Sequence, residues 1–188
     1  MKNVVFDLGR VVFAQDPAKS TAEFKQFFSY VSLTPMPQFW TDYDMGVLSF
    51  DQVAEELAAY RGVELEFARE MITIAIGKQE TIRPTEKLID ELKVAGYKLY
   101  VLSNMSREFI DFLREQPVYR HFDGEVVSCY EHINKPDEGI YTCLLERYDL
   151  RPEECLFADD KSINTAAASA LGLHTVTFDE HGVERIRE

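Results

Sequence analysis

Five short apolar runs, "NVVF" (3–6), "KLYVLS" (98–103), "GEVVS" (124–128), "ECLFAD" (154–159) and "HTVTF" (174–178), restrict the fold more than anything else in the chain. Each is apolar at consecutive positions and rich in Val, Leu, Phe or Tyr, as strands buried on both faces are. Helical patterns separate most of them. "TEKLIDELKVAG" (85–96) sets Leu88, Ile89, Leu92 and Ala95 at helical spacing, with Thr85 as the expected N-cap and Gly96 as the stop. "DEGIYTCLLERYDL" (137–150) and "INTAAASALG" (163–172) behave in the same way. Strand and helix in alternation predict an α/β fold: a doubly wound, mainly parallel, Rossmann-like sheet covered by helices on both faces.

The stretch from 15 to 80 breaks this alternation. "AKSTAEFKQFFSYV", "TPMPQFWTDYDMG", "SFDQVAEELAAYRG" and "ELEFARE" read as helices joined by Pro, Gly and Ser, and no strand is expected among them. The expectation is a core built from 1–14 and 81–188, with an α-helical cap inserted at 15–80. An insertion after the first strand lies above the carboxyl ends of the strands, where open α/β sheets bind ligands and where a lid is useful.

The balance of 20 basic against 33 acidic residues gives a formal charge of −13, which repels phosphate backbones and anionic membrane surfaces. Neither nucleic acid nor membrane is an expected partner. A small anion would need local cations or a metal to reverse the field at its site. Cys129, Cys143 and Cys155 form no CxxC pair, so a disulfide framework and a zinc site are both unsupported and a reducing cytoplasm is the expected location. Residues 1–13 read as a strand rather than a cleavable leader, and no long apolar span follows. Oligomeric state is left open.

Four polar clusters fall just past four expected strands: Asp7, Ser103 with Asn104, Lys135, and Asp159 with Asp160. In a parallel sheet those ends share one edge, so residues distant in sequence converge. Singly, each has a structural reading. Asp7 can cap a turn, Ser103-Asn104 can cap a helix beginning near Ser106, and Lys135-Pro136 can enter a helix with proline in its first turn. Adjacent carboxylates at a buried edge are harder to dismiss, because they repel unless a cation or a shared proton separates them.

With "VVFDLGRVV", "YVLSN", "NKP" and "LFADDKSINTAAASALG" in this order, nearly the whole chain resembles the haloacid dehalogenase (HAD) superfamily of aspartate-nucleophile hydrolases. "MGVLSFDQVAEEL" and "IRPTEKLIDELKVAGYKLYVLSN" resemble its subgroup with a small helical cap, which includes glucose-1-phosphatases and the amino-terminal phosphatase domains of soluble epoxide hydrolases. The resemblance implies that Asp7 attacks phosphorus to give an aspartyl-phosphate. It implies Mg²⁺ held by Asp7, the Gly9 carbonyl and Asp160, with Asp159 beside it, phosphoryl contacts from Ser103 and Asn104, and charge neutralisation by Lys135. Asn164 would brace the Asp159-Asp160 loop.

One position departs from the pattern. Most phosphatases of the superfamily carry a second aspartate two residues after the nucleophile as general acid and base, and here that residue is Gly9. Losing a positioned acid costs ~10²- to 10⁴-fold. Three readings follow: a phosphatase whose leaving group needs little help or whose proton comes from elsewhere, a metal-independent haloacid dehalogenase, or a weakly active fold kept as a binding or regulatory module. Paired Asp159-Asp160 argues against the dehalogenase. Asp16, Asp42 and Asp44 are close enough in the cap to be considered as donors, though each reads first as a solvated surface charge. Arg10 either binds substrate or lies exposed in its turn. Phe39, Trp40 and Tyr43 either line the pocket or pack the cap. The expectation is a Mg²⁺-dependent phosphatase for a small phosphorylated metabolite, with sugar phosphates among the candidates.

Overall fold

The computed structural model describes residues 1–33 and 35–188. Its main sheet has the order β5-β4-β1-β6-β7, all parallel, from β1 (Asn3–Phe6), β4 (Lys98–Ser103), β5 (Gly124–Val127), β6 (Cys155–Asp159) and β7 (His174–Thr177). All five expected strands are present. The expected run to Ser128 ends one residue sooner, because Ser128 opens a short helix, α7 (Ser128–Glu131).

Period-two alternation explains why every residue of β1 is buried. Val4 and Phe6 face a layer built on Leu88 and Ile89 of α5 (Arg83–Val94), Ile110 and Leu113 of α6 (Arg107–Arg114), and Val183 of α10 (Gly182–Arg187). Val5 faces the opposite layer, Ile140, Tyr141 and Leu144 of α8 (Glu138–Arg147) and Ala168 of α9 (Ser162–Ala170). With helices covering both faces, this is the doubly wound core. Thr85 is not the α5 N-cap: the helix starts two residues earlier, after Ile82, with Pro84 in its first turn, and Thr85 is buried on its inner face. Pro136 likewise precedes α8 rather than opening it, since Asp137 caps that helix by accepting from the Gly139 N–H.

Two strands appear where none was expected. β2 (Phe13–Gln15) and β3 (Gln79–Thr81) pair antiparallel, Phe13 opposite Thr81, and so close the ends of the intervening segment on one another. Between them lie α1 (Ala22–Phe27), α2 (Gln38–Asp44), α3 (Phe50–Arg61) and α4 (Leu65–Gly77), which bury a core of their own around Phe24, Phe28, Tyr30, Trp40, Leu57 and Ile72. Edge-on aromatic contacts knit it: Trp40 meets Phe28, Tyr30 and Tyr43, and reaches across to Phe109 of α6 with ring centroids 6.4 Å apart. Among the described residues no helix is long and apolar enough to cross a membrane.

Candidate active site

The chain runs from β1 to β4 and β5 on one side, then returns to β6 and β7 on the other, so the strand order reverses at β1. A crevice at the carboxyl end of such a switch point is where α/β sheets place ligands. Register fixes what fills it. Phe6 pairs with both Val101 and Ala158, which puts Asp7 level with Asp159 on one side and near Ser103 on the other. The Asp7 N–H closes the ladder onto the Ala158 carbonyl at 2.9 Å.

Beyond Asp7 the backbone turns sharply. The N–H groups of Val11, Val12 and Phe13 all reach the Leu8 carbonyl, and Arg10 adopts a left-handed φ of 59°. This turn carries Gly9 and Arg10 over the crevice before β2 leaves it.

Lys135 organises the floor. Its ammonium lies 2.9 Å from Asp7 Oδ1 and 2.6 Å from Asp159 Oδ2, and donates to the Leu102 carbonyl at 2.8 Å. Its backbone is held by Asn104, whose Oδ1 accepts from the Lys135 N–H at 2.7 Å and whose Nδ2 donates to the Lys135 carbonyl at 2.9 Å. Ser103 donates its hydroxyl to Asp7 Oδ1 at 2.8 Å. Both Asp159 oxygens are also engaged from the α9 side, by the Lys161 N–H at 2.8 Å and by Asn164 Nδ2 at 3.0 and 3.1 Å. Asn164 therefore braces Asp159 directly.

Asp7, Lys135, Asp159 and Ser103 are all buried, and their electrostatics follow from that. Burial pushes Asp7 up to about 6; Lys135 opposes the rise and Asp159 adds to it. For Lys135, burial works against the ammonium, but the two carboxylates outweigh it and hold the group above the ordinary lysine range. Asp160 is raised as well, by burial first and by Asp159 next. Arg10, mostly exposed, has its guanidinium 3.7 Å from Asp160 at the rim, where solvent screens it.

Asp7, Asp159 and Asp160 each offer an oxygen within 4.8 Å of the others. Ligands at ~2.1 Å in an octahedron stand ~3 to 4 Å apart, so a hard divalent ion fits this donor set. One ammonium among three carboxylates also leaves two negative charges to be balanced. The donor set, oxygen ligands only, suits a small dication of the magnesium class.

Above the floor is a polar basin of ≈ 180 Å³ lined by Asp7, Gly9, Asn104, Lys135, Asp160 and Lys161. A larger cavity of ≈ 570 Å³ opens from it beneath the helical segment, sharing Gly9, Arg10 and Asn104 and walled chiefly by Phe13, Trp40, Met105 and Phe109.

All the site residues expected from the sequence gather here. Two others join them, one outside the expected set and one considered there as a proton donor. Lys161 follows the aspartate pair and lines the basin, a position its adjacency to Asp160 signals. Asp44, expected on the surface, instead lines the larger cavity; it stands one helical turn after Trp40, and that spacing is the signal. Asp42 and Asp16 do lie outward: Asp42 accepts from Gln38 at 2.8 Å and Asp16 from the Ala18 N–H at 2.8 Å. Trp40 both packs the helical core and walls the cavity.

The model of the haloacid dehalogenase-like hydrolases matches residues 1–172. This chain belongs to that family. Among curated relatives of this HAD-like hydrolase is the sesquiterpene phosphatase astK of Aspergillus oryzae, 29% identical over 92% of this chain and 87% of its own. A HAD-like hydrolase from Porphyromonas gingivalis superposes with a TM-score of 0.78 at 28% identity, covering 100% of this chain and 97% of that one. A HAD family enzyme of Bacteroides thetaiotaomicron, solved with magnesium and inorganic phosphate, shares the fold at a TM-score of 0.75 and 20% identity, over 95% and 94% of the two chains.

Proposed function

We propose that this hydrolase is a Mg²⁺-dependent phosphatase that releases phosphate from a small monoester through an aspartyl-phosphate on Asp7. The observation that carries the reading is the buried Asp7–Lys135–Asp159 array with Asp160 at its rim, at the switch point of the sheet. Two donors occupy Asp7 Oδ1, Ser103 and Lys135, which leaves Oδ2 to attack phosphorus. A carboxylate meeting a phosphate dianion faces repulsion of ~4 kcal/mol per pair of unit charges at ~4 Å and an effective dielectric of ~20. Lys135 offsets part of it and stabilises charge on the transferring group.

Asp7, the Gly9 carbonyl and Asp160 are the groups proposed to hold Mg²⁺, with Asp159 fixing Lys135 beside it. When bound, the ion supplies charge neutralisation at the phosphoryl oxygens. The Asn104 backbone N–H and Arg10 are the proposed contacts to the substrate phosphate, joined by the Ser103 hydroxyl when it turns from Asp7 Oδ1, and the segment 15–80 acts as the cap that covers it.

The cavity wall is mostly apolar, through Phe13, Trp40, Met105 and Phe109, with Arg10, Gln15, Asp44, Gln79 and Asn104 as its polar members, and that balance favours an alcohol with an apolar body. Similarity to a sesquiterpene phosphatase supports the same choice. Burying ~100 Å² of hydrocarbon is worth ~2.5 kcal/mol, or nearly two decades in kcat/KM. The test is phosphate release from paired alkyl and sugar phosphates across a Mg²⁺ titration. Activity that needs Mg²⁺, vanishes in Asp7→Asn and is higher on alkyl phosphates supports the reading. Activity indifferent to chelator or to Asp7→Asn refutes it, and halide release from 2-haloacids would replace it with a dehalogenase.

A further inference from the structure

Gly9 has no side chain to move a proton, yet the reaction proposed above must protonate an alkoxide and then deprotonate a water. We propose that Asp44 performs both transfers, an inference that rests on the phosphatase reading of the site.

Placement comes first. Asp44 ends α2 and lines the cavity that also holds Gly9, Arg10 and Asn104, so its carboxyl shares the space into which a leaving alcohol would depart. The last turn of α2 is fixed to the segment that delivers Lys135. Ser128 Oγ donates to the Asp44 carbonyl at 2.5 Å, His132 Nδ1 lies 2.9 Å from the Met45 carbonyl, and Asn134 Nδ2 reaches the Thr41 carbonyl at 3.3 Å. Two residues on, Gly46 has a φ of 68°, and a Cβ there would stand 2.3 Å from the Cys129 carbonyl. The helix end is therefore held in close contact with the core, as a catalytic group must be.

The surroundings suit a proton carrier. Lys161, the Ser106 N–H and Asp7 act on the carboxyl from the core side, Arg10 lines the same cavity, and the Tyr30 and Tyr43 hydroxyls feel its charge from the helical side. Burial is the main effect and pushes Asp44 up to about 8; Lys161 opposes this and Asp7 adds to it. At neutral pH the group carries a proton to give. Glu108 is committed to the Tyr43 hydroxyl at 2.7 Å, and Asp16 and Asp42 are occupied at the surface.

In the first half-reaction the Asp7–phosphorus bond forms, the phosphorus–alkoxide bond breaks, and the Asp44 proton goes to the alkoxide. In the second, water attacks phosphorus, its proton goes to the Asp44 carboxylate, and Asp7 departs with its bonding electron pair. Asp44 ends as it began.

The experiment compares wild type, Asp44→Asn, and Asp44→Asn with Gly9→Asp, using n-octyl phosphate and p-nitrophenyl phosphate. A Cβ at Gly9 meets nothing within 4 Å, so the added aspartate has room. Asp44→Asn should lose ~10²- to 10⁴-fold on the alkyl ester and much less in forming phosphoenzyme from the nitrophenyl ester. Phosphoenzyme should accumulate in acid-quenched samples, and the basic limb of the kcat/KM profile near pH 8 should disappear. Gly9→Asp should restore alkyl turnover. Equal losses on both esters with no accumulated phosphoenzyme would assign Asp44 a structural role and overturn the inference, as would a variant that matches wild type. A wild type inactive on both esters would instead overturn the phosphatase reading itself.

Discussion

Replacing Lys135 with methionine, similar in length but uncharged, strips the site of the cation that makes its burial tolerable. Three interactions go together: 2.9 Å to Asp7, 2.6 Å to Asp159 and 2.8 Å to the Leu102 carbonyl. What is left is two buried carboxylates facing each other, and breaking a buried pair from one side costs ~3–5 kcal/mol. A domain of this size has ~5–15 kcal/mol in all, so the variant should fold but melt early, by ~6–20 °C at ~2–4 °C per kcal/mol. The pH dependence carries the sharper signature. In wild type Asp7 is raised to about 6 by burial, so the folded state already binds more protons than the unfolded one between pH ~4 and ~6. Without Lys135 the carboxylates are raised further, that window extends upward, and stability climbs more steeply as pH falls. Urea melts followed by circular dichroism in EDTA should show a gap between wild type and Lys135→Met that is wide at pH 8 and narrower at pH 5. A gap under ~0.5 kcal/mol, or one constant with pH, would refute the account of a carboxylate array held by one buried ammonium.

Further expectations concern the helical segment. Gly46→Ala should destabilise by ~1–3 kcal/mol and lower alkyl phosphate turnover, since its φ of 68° is compounded by the Cys129 carbonyl; Gly62→Ala, with a φ of 65° but open space, is the control and should cost ~1 kcal/mol in thermal melts. Asp44 is raised to about 8 in the folded state, so its ionisation costs stability as pH rises from ~4 to ~8. Asp44→Asn should therefore gain on wild type across that range in urea melts. Ala14→Phe, which fills the apolar cavity, should raise KM for n-octyl phosphate by ~10- to 200-fold while leaving inorganic phosphate inhibition unchanged.

The core was legible because a doubly wound sheet buries each strand on both faces, and "NVVF" or "CLFAD" can do little else. Parallel strands in register then placed Asp7, Ser103 and Asp159 together without further information. Lys135 is assigned to the same edge by its distance past β5, and the family resemblance sets it against Asp7, but its pairing with Asp159 depends on how Asn104 grips its backbone. β2 and β3 were missed because three-residue strands carry almost no periodic signal; they exist through their pairing across more than sixty residues of sequence. Thr85 misleads because it looks like a cap, whereas Arg83 opens the helix two positions sooner with Pro84 in its first turn, and Thr85 is buried on its inner face. Asp44 was read as surface charge on the usual exposure of aspartate. Its half-buried place in the cavity wall is tertiary, set by α2 docking through Ser128 and Gly46.

The central claim is that Asp7 becomes phosphorylated. Enzyme mixed with Mg²⁺ and p-nitrophenyl phosphate, quenched in acid and digested, should yield the amino-terminal peptide carrying one phosphoryl group on Asp7. The modification should be lost when EDTA replaces Mg²⁺. Phosphate turnover with Asp7 never modified, or undiminished in Asp7→Asn, would contradict the account.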